Sequence, residues 1–243
     1  ADDLNADQVK AIEQPGSVFL AACPGSGKTR TLTYKIAREL SLLTSDKHRV
    51  VAITYTHRAA DEIQERIEQL GVDTSQLWIG TIHSFCLEWI LRPYAIYHPE
   101  LKYGFRVINA HDTERAHELL CSQHGGGLRI FDCGHYFTST GYVISCADWK
   151  RAKVEVLLQQ YWADLRANRQ VDFEMILDYA YQLVRDIPSI GILLGSIFAT
   201  VLVDEYQDTK EIQYAILGAI LKASKGKAKA FIVGDPNQAI YGS

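Results

Sequence analysis

Two short stretches of this chain carry residue types that can do chemistry together. Residues 22–29 read Ala-Cys-Pro-Gly-Ser-Gly-Lys-Thr. Gly25 and Gly27 let backbone N–H groups turn inward and approach an anion closely. A helix opening near Lys28 adds the positive end of its dipole. Lys28 is then placed to reach the β- and γ-phosphates of a nucleotide, and the Thr29 hydroxyl to bind Mg²⁺. Ala22 stands where the general pattern opens with Gly; Cys23, Pro24 and Ser26 complete the loop. Far downstream, Ala199, Val201, Leu202 and Val203 run into Asp204-Glu205-Tyr206-Gln207-Asp208. Carboxylates at the tip of a buried strand are costly unless a cation meets them. Asp204 is read as holding Mg²⁺ through water, and Glu205 as orienting and deprotonating the attacking water. Neighbours on an extended segment point to opposite sides, so the two roles separate. Gln238, five residues past a second apolar strand, is read as sensing the γ-phosphate.

Hydrophobic periodicity supplies the elements that must hold these groups. A strand at 17–22 leads into the glycine loop, and Leu32, Ile36, Leu40 and Leu43 give the following helix its apolar stripe. A Val- and Ile-rich strand follows at 49–56. The next helix carries Ala59, Ile63, Ile67 and Leu70 and is closed by Gly71. A strand at 77–81 precedes a helix at 82–91, which Pro93 is expected to stop. Strands alternating with helices predict a parallel α/β sheet. From 94 to 197 the pattern is mostly helical, with a loop at Gly125-Gly126-Gly127. One stripe runs through Val154, Leu157, Leu158, Tyr161, Trp162 and Leu165, and another through Phe173, Ile176, Leu177, Ala180 and Leu183. Asp172 reads as the cap of that second helix. The α/β rhythm then resumes. The expected organisation is a sheet lobe made of 1–93 and 198–243, interrupted by a helical insert at 94–197.

Composition narrows the class further. The 243 residues are 47% hydrophobic and 22% charged, as in ordinary globular chains. No apolar run approaches the roughly 20 residues needed to cross a bilayer, and the polar start is unlike a signal peptide. Five cysteines without regular spacing fit a reducing, cytoplasmic setting better than a disulfide framework. Cys121, His124, Cys133, His135 and Cys146 have two suggestive spacings, but the lack of a Cys-x₂-Cys pair weighs against zinc. The formal charge of −4 argues against a chain that coats nucleic acid everywhere, yet leaves room for a local basic groove. The one basic cluster, Lys150-Arg151-Ala152-Lys153, with Arg166 and Arg169 after it, reads first as a solvated helix face. The stretch 234–241 resembles a motif, so the chain is expected to continue past Ser243.

Taken in order, these segments resemble the first RecA-like lobe of superfamily 1 helicases of the UvrD/Rep type. Leu4-Asn5-Ala6-Asp7-Gln8 is similar to the family's adenine-reading Gln motif, and 22–30 to its phosphate loop with a trailing Arg. Ile53-Thr54-Tyr55-Thr56-His57-Arg58-Ala59-Ala60 resembles its Thr-Phe-Thr-Asn-Lys-Ala-Ala segment. Gly80-Thr81-Ile82-His83-Ser84-Phe85 resembles its Thr-Phe-His-Ser segment, and 171–174 its Asp-Phe-Asp-Asp run. Residues 203–209 and 233–241 match two further motifs. The resemblance implies a P-loop NTPase, a RecA-like parallel sheet flanked by helices and interrupted by a mostly α-helical subdomain. It implies that Gln8 reads adenine and that Arg30 lies on the base or ribose side. Tyr55, Thr56, His57, Thr81 and His83 would line a single-stranded DNA track.

Two departures stand out. His57-Arg58 replaces Asn-Lys, and the chain ends before the family's aromatic-Arg continuation. The implied activity is ATP- and Mg²⁺-dependent movement on single-stranded DNA, 3′ to 5′, with unwinding at duplex junctions. A second RecA-like lobe would supply arginines missing here, so this chain alone is expected to bind ATP but hydrolyse it barely and unwind nothing. The alternatives are the motor part of a helicase–nuclease and a nucleotide-gated binding module without turnover. Glu205 speaks against the last, because a pure switch needs no general base.

Overall fold

The computed structural model describes residue 10 and residues 16–21, 27–204 and 211–234. The chain divides into two compact units, Ala1–Phe85 with Val184–Ser243, and Cys86–Leu183. From residue 16 onward the first unit runs through strand β1 (Val18–Ala21), helix α1 (Lys28–Ser41), β2 (Arg49–Thr54), α2 (His57–Gln69), β3 (Leu77–Thr81) and the single turn α3 (Ile82–Phe85). In β2, Val50, Val51 and Ala52 are all fully buried, so both faces of the strand are covered. A strand buried on both faces reads as an unbroken apolar run, which is the signature of a parallel sheet.

The second unit begins with a π-helical turn (Cys86–Leu91) and a short helix α4 (Arg92–Tyr94). Pro93 does not stop the helical path. It sits in the first turn of α4, where its missing N–H has no partner to lose. Next come β4 (Arg106–Val107), α5 (Ala110–His124), β5 (His135–Thr138), β6 (Gly141–Ile144), α6 (Asp148–Ala167), β7 (Gln170–Val171) and α7 (Phe173–Asp186). β5 and β6 form an antiparallel hairpin, and β4 pairs with β7 in parallel. The apolar stripe on α6 is buried as its spacing predicts. Asp172 caps α7 by accepting from Met175 N at 2.8 Å, and its other oxygen takes the Tyr161 hydroxyl at 2.8 Å. The periodicity missed the hairpin, although its aromatic and β-branched residues surround a Ser-Thr-Gly turn.

The chain returns to the first unit with α8 (Pro188–Ile197), β8 (Phe198–Val203), α9 (Glu211–Ala223) and β9 (Lys229–Gly234). The sheet order is β1-β9-β8-β2-β3, all parallel. On one face, Leu32, Ile36 and Leu40 of α1 join Ile63 and Ile67 of α2 over Val50, Ala52, Leu202 and Phe231. A buried polar link fastens α1 to β8 there. Lys35 Nζ lies 2.9 Å from Glu39, whose second oxygen accepts from Thr200 Oγ1 at 2.8 Å. Elsewhere in this unit α8 meets α9 so closely that a Cβ on Gly195 would stand 2.8 Å from that of Ser224. This contact gives α8 to the sheet unit. The insert therefore spans Cys86–Leu183, where the sequence pattern had drawn it at 94–197.

Candidate active site

The carboxyl ends of five parallel strands form one edge, and the segments that carry the candidate chemistry follow those strand ends in sequence. Ala21 is in register with Gly234, Val203 with Ile232, Ile53 with Val203, and Thr54 with Thr81. Because β9 lies between β1 and β8, the segments after Ala21, Asp204 and Gly234 start from neighbouring strand ends. Those segments hold 22–26, Glu205 and Gln238. These residues, with Gln8, lie outside the described residues.

Two helix N-termini at this edge, those of α1 and α2, break an electrostatic rule in the same way. Gly27 occupies the N-cap of α1 at φ 80°, ψ 25°, a left-handed conformation for which glycine is suited. No acid follows in the first turn; Lys28, Thr29 and Arg30 do. At α2 the N-cap is Thr56, and the first turn again carries a cation, Arg58, next to His57, and no acid. Cations at the positive end of a helix dipole are unfavourable by a few tenths of a kcal/mol or more. A bound anion would relieve both ends, which suits them chemically to phosphate.

Asp204 lies between them in the sheet order. It is 7% exposed, and its N–H donates to the carbonyl of Ile53 at 2.9 Å. It shares a cleft of about 70 Å³ with Thr54, Tyr55, Thr81 and His83. The buried carboxylate and part of the expected nucleic-acid track thus line a single opening. Gln213 and Leu217 of α9 also line it. Sequence reasoning passed over both; Gln213, polar on the helix that follows the acidic pair, was the available signal. The cleft is too small for a nucleotide, whose pockets start near 300 Å³.

The hydroxyls on the track differ in what they have left to give. Thr56 Oγ1 accepts from Ala59 N at 3.1 Å, while the Thr54 hydroxyl donates to Thr56 O at 3.0 Å. Capping uses Thr56 as an acceptor, so its O–H can still donate to a phosphate. Thr81 donates to Ser84 Oγ at 3.1 Å and accepts from Ser84 N at 3.3 Å. Thr81 is buried, and its geometry is that of a helix-start fastener. Tyr55 presents its ring at 63% exposure, His57 is exposed beside it, and His83 is half-buried.

Arg30 opens onto a different cleft of about 300 Å³, shared with Thr33 and Tyr34 of α1 and Arg66, Gln69 and Leu70 of α2's end. Thr29 is half-buried one residue earlier. Among the described residues, no three His, Cys, Asp or Glu side chains form a group that could hold a metal. One buried carboxylate and one hydroxyl still fit Mg²⁺, which is bound through few protein ligands, several waters and substrate phosphates. No helix among the described residues is long and apolar enough to cross a membrane.

Known proteins are similar over nearly the whole chain. The family model for the UvrD/REP helicase N-terminal domain matches residues 4–133 and 135–242. DNA helicase II of Salmonella typhimurium is 32% identical over 263 residues, covering 99% of this chain and 34% of that protein. DNA helicase II of Escherichia coli matches with the same identity and coverage. ATP-dependent DNA helicase PcrA of Staphylococcus aureus is 29% identical over 252 residues, covering 98% of this chain and 34% of its own. The chain thus spans about a third of the length of these relatives.

Proposed function

The chain belongs to the UvrD/REP helicase family, and from that premise we propose that it is the ATP-binding lobe of a DNA motor. The observation that carries the reading is the strand edge itself. Two helix N-termini bearing cations and no acids flank a buried carboxylate there. In this reading the phosphate loop and Lys28 hold the triphosphate, and Thr29 and Asp204 hold Mg²⁺, which screens the phosphate charge. The Arg30 cleft takes the base or ribose, and Glu205 accepts the proton of the attacking water. Gln238, four residues past the end of β9 in sequence, registers the γ-phosphate.

Tyr55, Thr56 and His57 face single-stranded DNA, with His83 at the cleft shared with Asp204. Loss of the γ-phosphate is transmitted across that opening to the DNA track. Stacking on Tyr55 contributes roughly 1–3 kcal/mol per base. The relatives' further length is where a second lobe with charge-stabilising arginines belongs. Such arginines are worth on the order of 10³–10⁵ in rate. The chain alone therefore binds Mg-ATP with little turnover, and the complete motor moves 3′ to 5′ and opens duplex junctions in the cytoplasm.

A titration with a fluorescent ATP analogue tests this, with and without Mg²⁺. Lys28→Ala should weaken binding at least tenfold, since it removes a charge-assisted contact worth roughly 1.5–3 kcal/mol. Glu205→Gln should keep binding here, yet stop DNA-stimulated hydrolysis in a protein that also carries the second lobe. Undiminished hydrolysis by that variant would overturn the reading.

A further inference from the structure

The insert unit displays two large aromatic rings that its own core does not use. Phe131 is 69% exposed and Trp149 is 73% exposed, the highest value among the large hydrophobic residues described. Both rings flank one ammonium group: Lys150 Nζ lies 5.9 Å from the Phe131 ring centre and 5.1 Å from that of Trp149. The Arg129 guanidinium also approaches Phe131, at 5.9 Å.

The rings are set on a rigid mount. Asp132 accepts from Arg129 N at 2.8 Å and from Lys150 Nζ at 2.7 Å. This nearly buried ion pair ties the 3₁₀ turn Ile130–Cys133 to the start of α6 and leaves Phe131 facing water. Beside it runs the loop Gly125-Gly126-Gly127, with φ of 62°, 72° and 72°. A Cβ at Gly126 would stand 3.0 Å from Lys153 Nζ, so that ammonium rests against the bare backbone. Trp149 and Lys153 are four residues apart on α6 and share a face. Asp148, exposed and next to Trp149 in sequence, is paired with Arg151 at 2.9 Å.

We infer that this surface is an accessory platform for single-stranded DNA. Phe131 and Trp149 stack on bases, while Lys153 and the glycine loop take the adjoining phosphate. Exposed rings alternating with cations suit unpaired bases, whose faces are open, whereas in a duplex those faces are covered. A backbone without side chains lets the phosphate come close. The inference rests on the motor reading only for the identity of the polymer.

Trp149 reports on the test directly, because Trp78, Trp89 and Trp162 are less exposed. Tryptophan emission and the anisotropy of a labelled oligo(dT) strand would be followed as that strand is titrated into the whole chain. Emission should be quenched on binding, and Trp149→Ala should remove the quench. The double variant F131A/W149A should bind about tenfold more weakly or worse, with W149F restoring most of the affinity. Lys153→Ala should lower the salt slope by about one. Unchanged affinity in the double variant, or equal quenching by a blunt duplex of the same length, overturns the platform. Both rings are exposed, so circular dichroism should find every variant folded. A chain that binds no Mg-ATP but keeps the quench refutes the motor reading alone; the reverse result refutes the platform alone.

Discussion

Replacing Thr56 with Asp should move stability and DNA binding in opposite directions. Thr56 Oγ1 caps α2 through Ala59 N at 3.1 Å, and Asp caps at least as well as Thr. The new carboxylate would also face the positive helix end and the exposed cation Arg58. Together these effects are worth about 0.5–1 kcal/mol. For a chain of this size that raises Tm by about 1–4 °C. The same carboxylate removes a hydroxyl donor from the proposed track and puts a negative charge where phosphate would lie. A hydrogen bond to a charged group is worth roughly 1.5–3 kcal/mol, so affinity for oligo(dT) should fall about tenfold or more. Thermal unfolding and fluorescence anisotropy at two salt concentrations measure the pair of effects. A general folding defect would lower both quantities. If T56D binds oligo(dT) as the parent does, the anion-site argument for α2 is wrong.

Other expectations follow from the same geometry. Asp204→Asn should reduce ATP-analogue affinity in Mg²⁺ to its metal-free level while leaving the metal-free affinity in place, which parallel titrations would reveal. Asp172→Ala removes both the cap on Met175 N and the acceptor for Tyr161 inside a buried region. It should cost about 2–4 kcal/mol in urea unfolding, with a loss below 1 kcal/mol counting against that network. Burial, with His135 nearby, pushes the His117 pKa down to about 4, so the folded chain keeps this group neutral. The unfolded chain binds that proton below pH 6.5, so stability is fully present above pH 6.5 and is lost as pH falls toward 4. The loss should be on the order of 2 kcal/mol at pH 5. His117→Phe should flatten that slope in urea midpoints taken at pH 7 and pH 5.

Features that depend on a few consecutive residues were legible in the sequence. The cap Asp172 operates within three residues, from its own carboxylate to Met175 N. Its signal is therefore local: a small polar residue before an apolar stripe. The β2 and β8 strands were legible for a different reason. Burial on both faces strips polar residues from a whole run, and the run shows in the composition. The hairpin at His135–Ile144 was hidden inside a helical region, and Pro93 gave a false stop. Proline breaks a helix only when it falls in the interior, and its position within the turn is a property of the folded path. The extent of the insert was hidden as well, because Pro188–Ile197 reads as a helix wherever it packs. Its partner, met through Gly195 and Ser224, lies far along the chain.

By itself the sequence determined where the candidate chemistry lies along the chain, since a glycine-rich Lys-Thr stretch and a pair of acids are contiguous devices with composition of their own. Tertiary structure alone decided which of those devices are neighbours. Strand order is set by how sheet faces are buried across long separations in sequence, and it put β9 between β1 and β8. The same packing brought Asp204 into one cleft with Tyr55, Thr81 and Gln213. It also stood Phe131 and Trp149 on either side of a single lysine. No spacing along the chain encodes such meetings, because the free energy that fixes them belongs to surfaces that form only when the chain has folded.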